Sequence, residues 1–343
     1  MPEVVCLGEA LIDFVSLQSG VDLVGAEGFR KAAGGAPANV AAGVAKLGRS
    51  AGFVGKVGDD PFGRFLKKTL DECGVDTSRM ILDPNFRTGL AFVSVTEEGE
   101  RDFVFFRNPS ADMMLSPQEV DVEYLESAKI FHFGSVLLAS HPSREATLFA
   151  VERAREAGLL VSFDPNVRPP LWDSAARCRH EVLSAMRLCQ VAKISDEEVE
   201  FLFGHGNVER GAEQILELGP ELAVVTLGPK GAYFASRGGA KGHVPTPDVG
   251  VVDRTGAGDG FVAGLLVSLL EGGWKEPGSI GEGGLRQVVE FANAVGALTT
   301  TSRGAIPSLP TREAVDALLA KNKKGEVRKD ARGEANRSAN RGR

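Results

Sequence analysis

Short apolar runs rich in β-branched residues alternate with helix-length segments along most of this chain. The runs are VVCLGE, AGFVGKVG, KIFHFG, LLVSFD, VAKIS and LAVVTLG, and helical patterns such as PFGRFLKKTLDECG and REATLFAVERAREAG lie between them. Several runs are apolar throughout, which is typical of parallel strands that are covered on both faces. The alternation therefore predicts an α/β fold with a central, mostly parallel sheet flanked by helices, in which ligands bind at the carboxyl ends of the strands.

Two stretches interrupt this alternation. Residues 12–33 contain short extended pieces and glycine turns without a helical period, and residues 86–107 alternate like a hairpin with a turn at Glu97–Gly99. Each stretch begins where a core strand ends, so we expect them to pair into a small β-sheet lid, although two unrelated surface hairpins also fit the pattern. We assign residues 1–320 to a single domain and residues 321–343 to a basic, disordered tail.

Charge and composition exclude several classes of protein. The net charge is −7, but residues 321–343 hold nine basic and three acidic residues and carry +6, which leaves −13 for residues 1–320. A body this acidic is a poor match for a nucleic-acid backbone. No apolar run approaches the roughly 18–20 residues of a membrane span, and the signal-peptide pattern is absent. We therefore predict neither a nucleic-acid nor a membrane partner.

The four cysteines, Cys6, Cys73, Cys178 and Cys189, show neither a CxxC motif nor metal-ligand spacing. Free thiols are typical of proteins in a reducing compartment. We therefore expect a cytoplasmic location.

The segment VVDRTGAGDGFVAGLL carries the strongest indication of chemistry. Gly256, Ala257 and Gly258 precede Asp259 at the expected start of a helix, where successive N–H groups form a site for an anion. With a phosphoryl group on those N–H groups, the Asp259 carboxylate would accept the proton of an attacking hydroxyl. The helix dipole alone also favours a carboxylate in the first turn, so a simple capping role stays open at this point.

Familiar nucleotide-binding motifs are absent from the sequence. It contains no GxxxxGK[ST] motif, and the glycine turn at Gly256 neither matches GxGxxG nor lies near the first strand. HRD and DFG motifs are also missing, which excludes a protein kinase.

Two segments resemble the signatures of the ribokinase-like (PfkB) sugar kinases. DRTGAGDGF resembles the family's DTxGAGD signature, and KAAGGAPANVAAGVAKLG resembles its glycine pair followed by Asn. The two occur in the family's order, and the resemblance extends over about residues 4–315. Within the family, segments such as GEALIDF, FVFFRNPSADMML and FDPNVRPPLW are most similar to fructokinases.

This resemblance implies ATP as the phosphoryl donor, with Mg²⁺ and K⁺, and transfer of the γ-phosphoryl group to the 6-hydroxyl of D-fructose. The alternatives are 2-keto-3-deoxygluconate kinase and another PfkB sugar kinase such as ribokinase. Ketodeoxygluconate carries a carboxylate, which would call for more than one arginine in the sugar site. A sugar-binding regulator without activity is the non-enzymatic alternative, and the presence of Asp259 argues against it.

The resemblance also implies roles for individual residues. Asp259 matches the catalytic base, and Gly256, Ala257 and Gly258 match the anion hole. The positions that match sugar contacts are Asp13, Gly34, Gly35 and Asn39. The positions that match nucleotide contacts are Ser195, Thr226, Gly228, Gly231 and Asn293. The positions that match metal sites are Glu198 for Mg²⁺ through water, and Asp253, Thr255, Thr299, Ser302, Gly304 and Ser308 for the monovalent cation.

Some of these residues also have plain structural interpretations or depart from the family pattern. Asp13 also reads as a strand-end turn residue, Asn39 as a polar residue at a helix start and Glu198 as a helix-face charge. Ser195 stands where many members have Asn. Arg254 stands where a small polar residue is commoner, and we expect its side chain to point away from the cation loop.

The remaining candidate contacts come from position in the chain. Asn166 and Arg168 follow the core strand LLVSFD, so we expect them at its carboxyl end, where the guanidinium would pair with phosphate, with sugar or with a neighbouring carboxylate. Arg107 lies in the hairpin stretch, where we expect it to approach a sugar hydroxyl or carboxylate. The nearby phenylalanines Phe103, Phe105 and Phe106 predict an apolar lid surface and a homodimer through the lids.

Overall fold

The computed structural model describes residues 1–95, 101–274 and 276–322. The turn expected at Glu97–Gly99 and the tail beyond residue 322 lie outside the described residues. Within the described ranges, every helix is too short or too polar to cross a membrane.

The secondary structure follows the predicted alternation. The strands are β1 (Val4–Leu7), β2 (Leu11–Ser16), β3 (Phe29–Gly34), β4 (Ala51–Gly58), β5 (Asp76–Asp83), β6 (Leu90–Val95), β7 (Arg101–Phe106), β8 (Ile130–Gly134), β9 (Leu160–Asp164), β10 (Val191–Ser195), β11 (Leu222–Thr226), β12 (Ala232–Ser236) and β13 (Lys241–Val244). The helices are α1 (Ala36–Lys46), α2 (Pro61–Glu72), α3 (Val122–Glu126), α4 (Ser143–Glu156), α5 (Ala175–Met186), α6 (Asp196–Phe203), α7 (Val208–Leu218), α8 (Ala257–Glu271), α9 (Glu282–Thr299) and α10 (312–322).

The large sheet has the strand order β13-β12-β11-β10-β9-β8-β1-β4-β5 in the described part of the chain. Its strands from β5 to β11 pair in parallel, and only the β11–β12 and β12–β13 pairs are antiparallel. This sheet, covered by helices on both faces, confirms the predicted α/β class. The carboxyl ends of the central strands β1, β8, β9 and β10 consequently meet at one edge.

The central strands are buried because both of their faces pack against helices. In β1, Val4 and Cys6 belong to the apolar core on the side of α1, α8 and α9, whereas Val5 and Leu7 belong to the core on the side of α4 and α5. Successive side chains of a strand point to opposite faces, so an uninterrupted apolar run can serve two cores.

Two glycines allow the helices behind the central strands to approach closely. A Cβ atom at Gly43 of α1 would lie 2.6 Å from the Cβ of Ala263 in α8, and one at Gly264 would lie 2.9 Å from the Cα of Ala292 in α9. The close contact between α1 and α8 brings the starts of both helices to the carboxyl edge of the sheet. Their first turns therefore face the same space.

The four-stranded sheet has the order β3-β2-β6-β7, with β2 and β6 parallel and the other pairs antiparallel. It is formed by the two stretches that interrupt the sequence alternation, which confirms the second, smaller sheet. β2 begins four residues after β1 ends, so this sheet rises from the carboxyl edge of the large one.

Candidate active site

A cavity of about 370 Å³, cavity A, lies between the carboxyl edge of the large sheet and the small sheet. Asp13 and Asn39 line it from β2 and α1, Asn166 from the loop after β9, and Asp259 from α8. Phe103 of β7 closes it from the small sheet. Cavity A therefore gathers carboxylate and amide side chains, which pair well with hydroxyl groups.

A second cavity of about 500 Å³, cavity B, lies on the other side of the start of α8. The predicted nucleotide positions Thr226, Gly228, Gly231 and Asn293 all line it. Asn293 is buried, and its Nδ2 donates hydrogen bonds to the carbonyls of Val244 (3.0 Å) and Pro245 (3.3 Å). It thereby fixes the chain that borders the cavity.

The first turn of α8 separates the two cavities. Gly256 and Asp259 line cavity A, while Ala257 and Gly258 line cavity B. Gly256 is the N-cap residue with φ 78° and ψ 0°, a left-handed conformation that glycine adopts without strain. The turn therefore presents the N–H groups of Gly256 and Gly258 where the two cavities adjoin, while the Ala257 N–H donates to the Arg254 carbonyl at 3.3 Å. A group passing between the cavities would meet the N–H groups of this turn.

Asp259 lies in this turn with a hydrogen bond on each carboxylate oxygen. Nδ2 of Asn39 donates to Oδ2 at 2.7 Å, and Nδ2 of Asn166 reaches Oδ1 at the longer distance of 3.5 Å. Burial raises the pKa of Asp259 to about 6, with Asp164 acting in the same direction, while the Asn39 hydrogen bond and the charge of Lys193 oppose them. A carboxylate with this pKa is ionised at neutral pH and is a better proton acceptor than an exposed aspartate.

A buried cluster of charges lies beneath the turn. Lys193 of β10 forms an ion pair with Asp164 at 3.0 Å, and both side chains are almost fully buried. Burial acts to lower the pKa of Lys193, but Asp164, Glu198 and Asp259 outweigh it and raise the pKa. The ammonium is 3.4 Å from the position that a Cβ of Gly258 would take. Lys193 therefore holds a fixed positive charge directly behind the anion site.

The wall of cavity A depends on glycines at the start of α1. Gly35 has φ 104°, and a Cβ there would lie 2.3 Å from the carbonyl oxygen of Glu9. A Cβ at Gly34 would lie 2.2 Å from Oδ2 of Asp13. The Ala36 N–H donates to Oε1 of Glu9 at 2.9 Å. Gly34 therefore makes room for the Asp13 carboxylate, and Gly35 lets the start of α1 approach the backbone of Glu9.

Arg107 does not line cavity A, contrary to the sequence-based expectation. Its guanidinium is buried in an ion pair with Asp112, with Nε donating to Oδ2 at 3.0 Å, and the Ser110 hydroxyl donates to the other Asp112 oxygen. The contribution of β7 to the cavity comes instead from Phe103 and Phe105. The sequence predicts a contact between Arg107 and the sugar. In the structure its partner is instead the carboxylate of Asp112, five residues further along the chain.

Ser195 and Glu198 do not line cavity B, and they form hydrogen bonds with each other at the start of α6. The Ser195 hydroxyl accepts from the Glu198 N–H at 3.2 Å and caps α6, and Glu198 Oε2 accepts from the Ser195 N–H at 2.8 Å. Oε1 of Glu198 accepts from the Val167 N–H at 2.7 Å. Burial, with Asp164 acting in the same direction, raises the pKa of Glu198. The pair thus anchors the loop that carries Asn166.

The positions predicted for a monovalent cation lie on two loops that the structure brings together. The N–H groups of Val252 and Asp253 donate to the Thr300 carbonyl (2.8 and 3.1 Å), and the Gly304 N–H donates to Oδ2 of Asp253 at 2.9 Å. The Ser308 hydroxyl donates to the Gly304 and Ala305 carbonyls. The Thr299 hydroxyl donates to the Val295 carbonyl within α9 at 2.8 Å. Ser302 is exposed. The atoms of these two loops that could coordinate a cation are carbonyl, hydroxyl and carboxylate oxygens. Such oxygens suit a hard cation such as K⁺.

Residues that sequence reasoning missed also line the cavities. Glu9, Arg30 and Arg303 line cavity A. Arg254, for which the sequence predicted only an orientation away from the cation loop, lines cavity B. Burial raises the pKa of Glu9 to about 7. Glu9 lies in GEALIDF, a segment that carried the family resemblance, so the segment was recognised but this side chain was not. Arg30 had no such signal.

Two cavities that meet at a glycine turn beside a carboxylate fit an α/β phosphotransferase that acts on a hydroxyl group. The model of the pfkB family of carbohydrate kinases matches residues 1–312, and the chain belongs to that family. The family predicted from the two sequence signatures is thereby confirmed.

Relatives and solved structures agree with this membership. The chain is 47% identical to a chloroplastic probable fructokinase of Arabidopsis thaliana, over 93% of this chain and 83% of that protein. It is 47% identical to a fructokinase of Zea mays, over 93% of this chain and 98% of that protein. The fructokinase of Xylella fastidiosa with bound ATP superposes with a TM-score of 0.84 at 33% identity, over 94% and 100% of the two chains. A double mutant of the Vibrio cholerae O395 fructokinase, with fructose, ADP and potassium ion bound, superposes with a TM-score of 0.82 at 36% sequence identity. The match covers 93% of this chain and 98% of that chain.

Proposed function

We propose that this sugar kinase is a fructokinase that transfers the γ-phosphoryl group of ATP to the 6-hydroxyl of D-fructose. The observation that carries the proposal is the position of Asp259, whose carboxylate lies in the helix turn between cavities A and B. In this assignment cavity A binds the sugar and cavity B binds the nucleotide. The names and ligands of the relatives support fructose and ATP as the substrates.

The reaction follows from the arrangement of the turn. The 6-hydroxyl of the sugar in cavity A attacks the γ-phosphorus, and Asp259 accepts the hydroxyl proton as the new O–P bond forms and ADP departs. The N–H groups of Gly256, Ala257 and Gly258 stabilise the charge on the transferred group, and Lys193 adds to their positive potential from below. Asn39 holds Oδ2 of Asp259 at 2.7 Å and so orients the base.

The sugar contacts are proposed from cavity A. Asp13 and Asn39 pair with hydroxyl groups of the sugar, and Gly34 and Gly35 make room for them. Asn166 contributes a further amide. Arg168 donates to the carbonyls of Asn166 (3.3 Å) and Val167 (3.0 Å), which leaves its remaining N–H groups for the substrate.

The nucleotide and metal contacts are proposed from cavity B and the adjoining loops. Thr226, Gly228, Gly231 and Asn293 border the nucleotide. Within the described residues, no cluster of three or more His, Cys, Asp or Glu side chains is placed to hold a metal ion. Mg²⁺ commonly binds substrate phosphates with only one or two carboxylates, and it would neutralise phosphate charge here. K⁺ is proposed between the loops at Asp253 and Gly304, where it would add positive potential near the anion site.

The small sheet is proposed to act as a lid and as a dimer interface. Phe103 and Phe105 line cavity A, while the alternate residues Val104 and Phe106 are 44% and 59% exposed. Since strand side chains alternate, the face away from the cavity presents apolar surface, which is typical of an interface. We expect a homodimer by light scattering and a monomer after Phe106→Ser, and a monomeric native protein at micromolar concentration would contradict this.

The free cysteines suit a reducing compartment, and we propose the cytoplasm. All four, Cys6, Cys73, Cys178 and Cys189, are without disulfides.

One observation favours a second acceptor, 2-keto-3-deoxygluconate. Arg30, Arg168 and Arg303 all line cavity A, and a sugar acid would pair its carboxylate with such guanidinium groups. The same cavity holds the carboxylates of Asp13 and Asp259, which repel an anionic acceptor, and the relatives named above are fructokinases. Fructose is therefore the first candidate.

Assays of several sugars with ATP and Mg²⁺ test whether fructose is preferred over 2-keto-3-deoxygluconate as the acceptor. The expected result is a kcat/KM for D-fructose at least about tenfold higher than for ketodeoxygluconate or ribose, because cavity A offers carboxylates and amides that match neutral hydroxyl groups. Product analysis should place the phosphate on the 6-hydroxyl. A kcat/KM for fructose no higher than that for ketodeoxygluconate would reject the fructokinase assignment, and no turnover of any sugar would reject the reaction itself.

A further inference from the structure

Arg254 is an exposed side chain that lines cavity B, one position after Asp253 of the cation loop. Asp248 is the other charged side chain in the described lining of this cavity, and it is acidic. No carboxylate of the described residues lies within 4.0 Å of the Arg254 guanidinium as an ion-pair partner. The guanidinium is thus the only cation lining the described part of cavity B.

The backbone around Arg254 is held firmly. Asp253 is fixed by the Thr300 carbonyl (3.1 Å), and its Oδ1 accepts from the N–H and hydroxyl of Thr255 at 2.9 and 2.7 Å. The Arg254 carbonyl accepts from the Ala257 N–H at 3.3 Å. Arg254 therefore enters cavity B from a rigid turn, next to Ala257 and Gly258 of the anion site.

Arg254 provides positive charge that the rest of the cavity B lining lacks. The other side chains that line cavity B are neutral apart from Asp248, whereas a nucleoside polyphosphate brings several negative charges. An arginine binds two phosphate oxygens at once through parallel N–H groups, and such charge-assisted bonds are roughly twice as strong as neutral ones.

We propose that Arg254 binds the polyphosphate of the nucleotide in cavity B and makes this kinase select nucleoside polyphosphates over the free nucleoside. The inference rests on the proposed placement of ATP in cavity B. It differs from the sequence-based expectation for Arg254, in which the side chain only stays clear of the cation loop.

Calorimetric titration of the full-length protein with ADP and with adenosine tests the proposal. Arg254→Thr should raise the dissociation constant of ADP by about tenfold or more, the loss expected for a charge-assisted hydrogen bond. The constant for adenosine should stay within about twofold, because adenosine has no phosphate oxygens for the guanidinium to bind. Arg254→Lys should recover part of the ADP affinity, since it keeps the charge but loses the bidentate geometry.

Two further measurements separate the possible outcomes. Arg210→Thr removes an exposed arginine of α7 that lines neither cavity, and it should leave both affinities unchanged. In steady-state assays Arg254→Thr should raise the KM for ATP and leave the KM for fructose and the activation constant for K⁺ unchanged. Unchanged ADP binding in Arg254→Thr, or a change confined to K⁺ activation, would overturn the proposal. These outcomes concern only Arg254. Phosphorylation of fructose by the native protein would support the proposed function whether or not Arg254 binds the polyphosphate.

Discussion

Replacing Asp259 with asparagine should lower kcat for fructose phosphorylation by about 10³-fold, within the range of 10² to 10⁴ that a general base contributes. Asparagine has nearly the same shape and can still accept the hydrogen bond from Asn39, which is 2.7 Å long in the native protein. It cannot take up the proton of the attacking hydroxyl. The loss should therefore appear in kcat, while calorimetry should show fructose binding close to that of the native protein.

Asp316→Asn is the matched control for this substitution. Asp316 is an exposed carboxylate that lines neither cavity, so its loss removes one negative charge without removing the proposed base. Its kcat should remain within about threefold of the native value, as expected for a surface charge. An Asp259→Asn enzyme that binds fructose and keeps its full kcat would show that another group accepts the proton.

The pH profile of the native enzyme gives an independent measure of the same base. Since burial raises the pKa of Asp259 to about 6, kcat/KM should fall as the pH drops through about 6, because protonation removes the acceptor. Below that value the decrease should approach tenfold per pH unit. An acid limb with the ordinary aspartate value near 4 would mean that this carboxylate is solvated in the working enzyme.

Local patterns in the sequence were enough to predict the parallel strands β1, β4 and β8 to β11 of the large sheet. The runs AGFVGKVG and VAKIS coincide with β4 and β10, because strands covered on both faces must be apolar throughout. The edge strand β5 was not predicted. Only three of its eight residues are buried, and Arg79 interrupts its apolar character, so it lacks the pattern of a central strand.

The site was predictable only where backbone geometry restricts the residue type. Gly35 and Gly256 adopt left-handed conformations, and such positions leave a glycine signature in the sequence. The role of Arg107 depends on Asp112, and that of Glu198 on the backbone of Val167. These pairings are set by how the loops pack, which no local pattern records. The same holds for Lys193, whose functional position comes from the approach of α8 to β10.

Gly256→Ala should lower kcat by about 10²-fold, the loss that follows when reacting groups are displaced by about 1 Å. The residue has φ 78°, and an added Cβ would lie 2.8 Å from both the Cα and the Cβ of Ala305. Either the turn rotates or the loop at Ala305 moves away. Because Gly256 is the N-cap of α8, both responses shift the N–H groups of Ala257 and Gly258 relative to the phosphoryl group.

Gly48→Ala separates this displacement from the general cost of a left-handed alanine. Gly48 has φ 83°, but no atom lies within 4 Å of an added Cβ, and the residue lines neither cavity. Both variants should lose about 1–3 kcal/mol in the free energy of unfolding from backbone strain, measured by urea denaturation, with the larger loss in Gly256→Ala. Only Gly256→Ala should lose kcat, with a smaller change in fructose affinity. If its kcat is unchanged, the N–H groups of this turn do not stabilise the transferred phosphoryl group, and the anion site must lie elsewhere along cavity B.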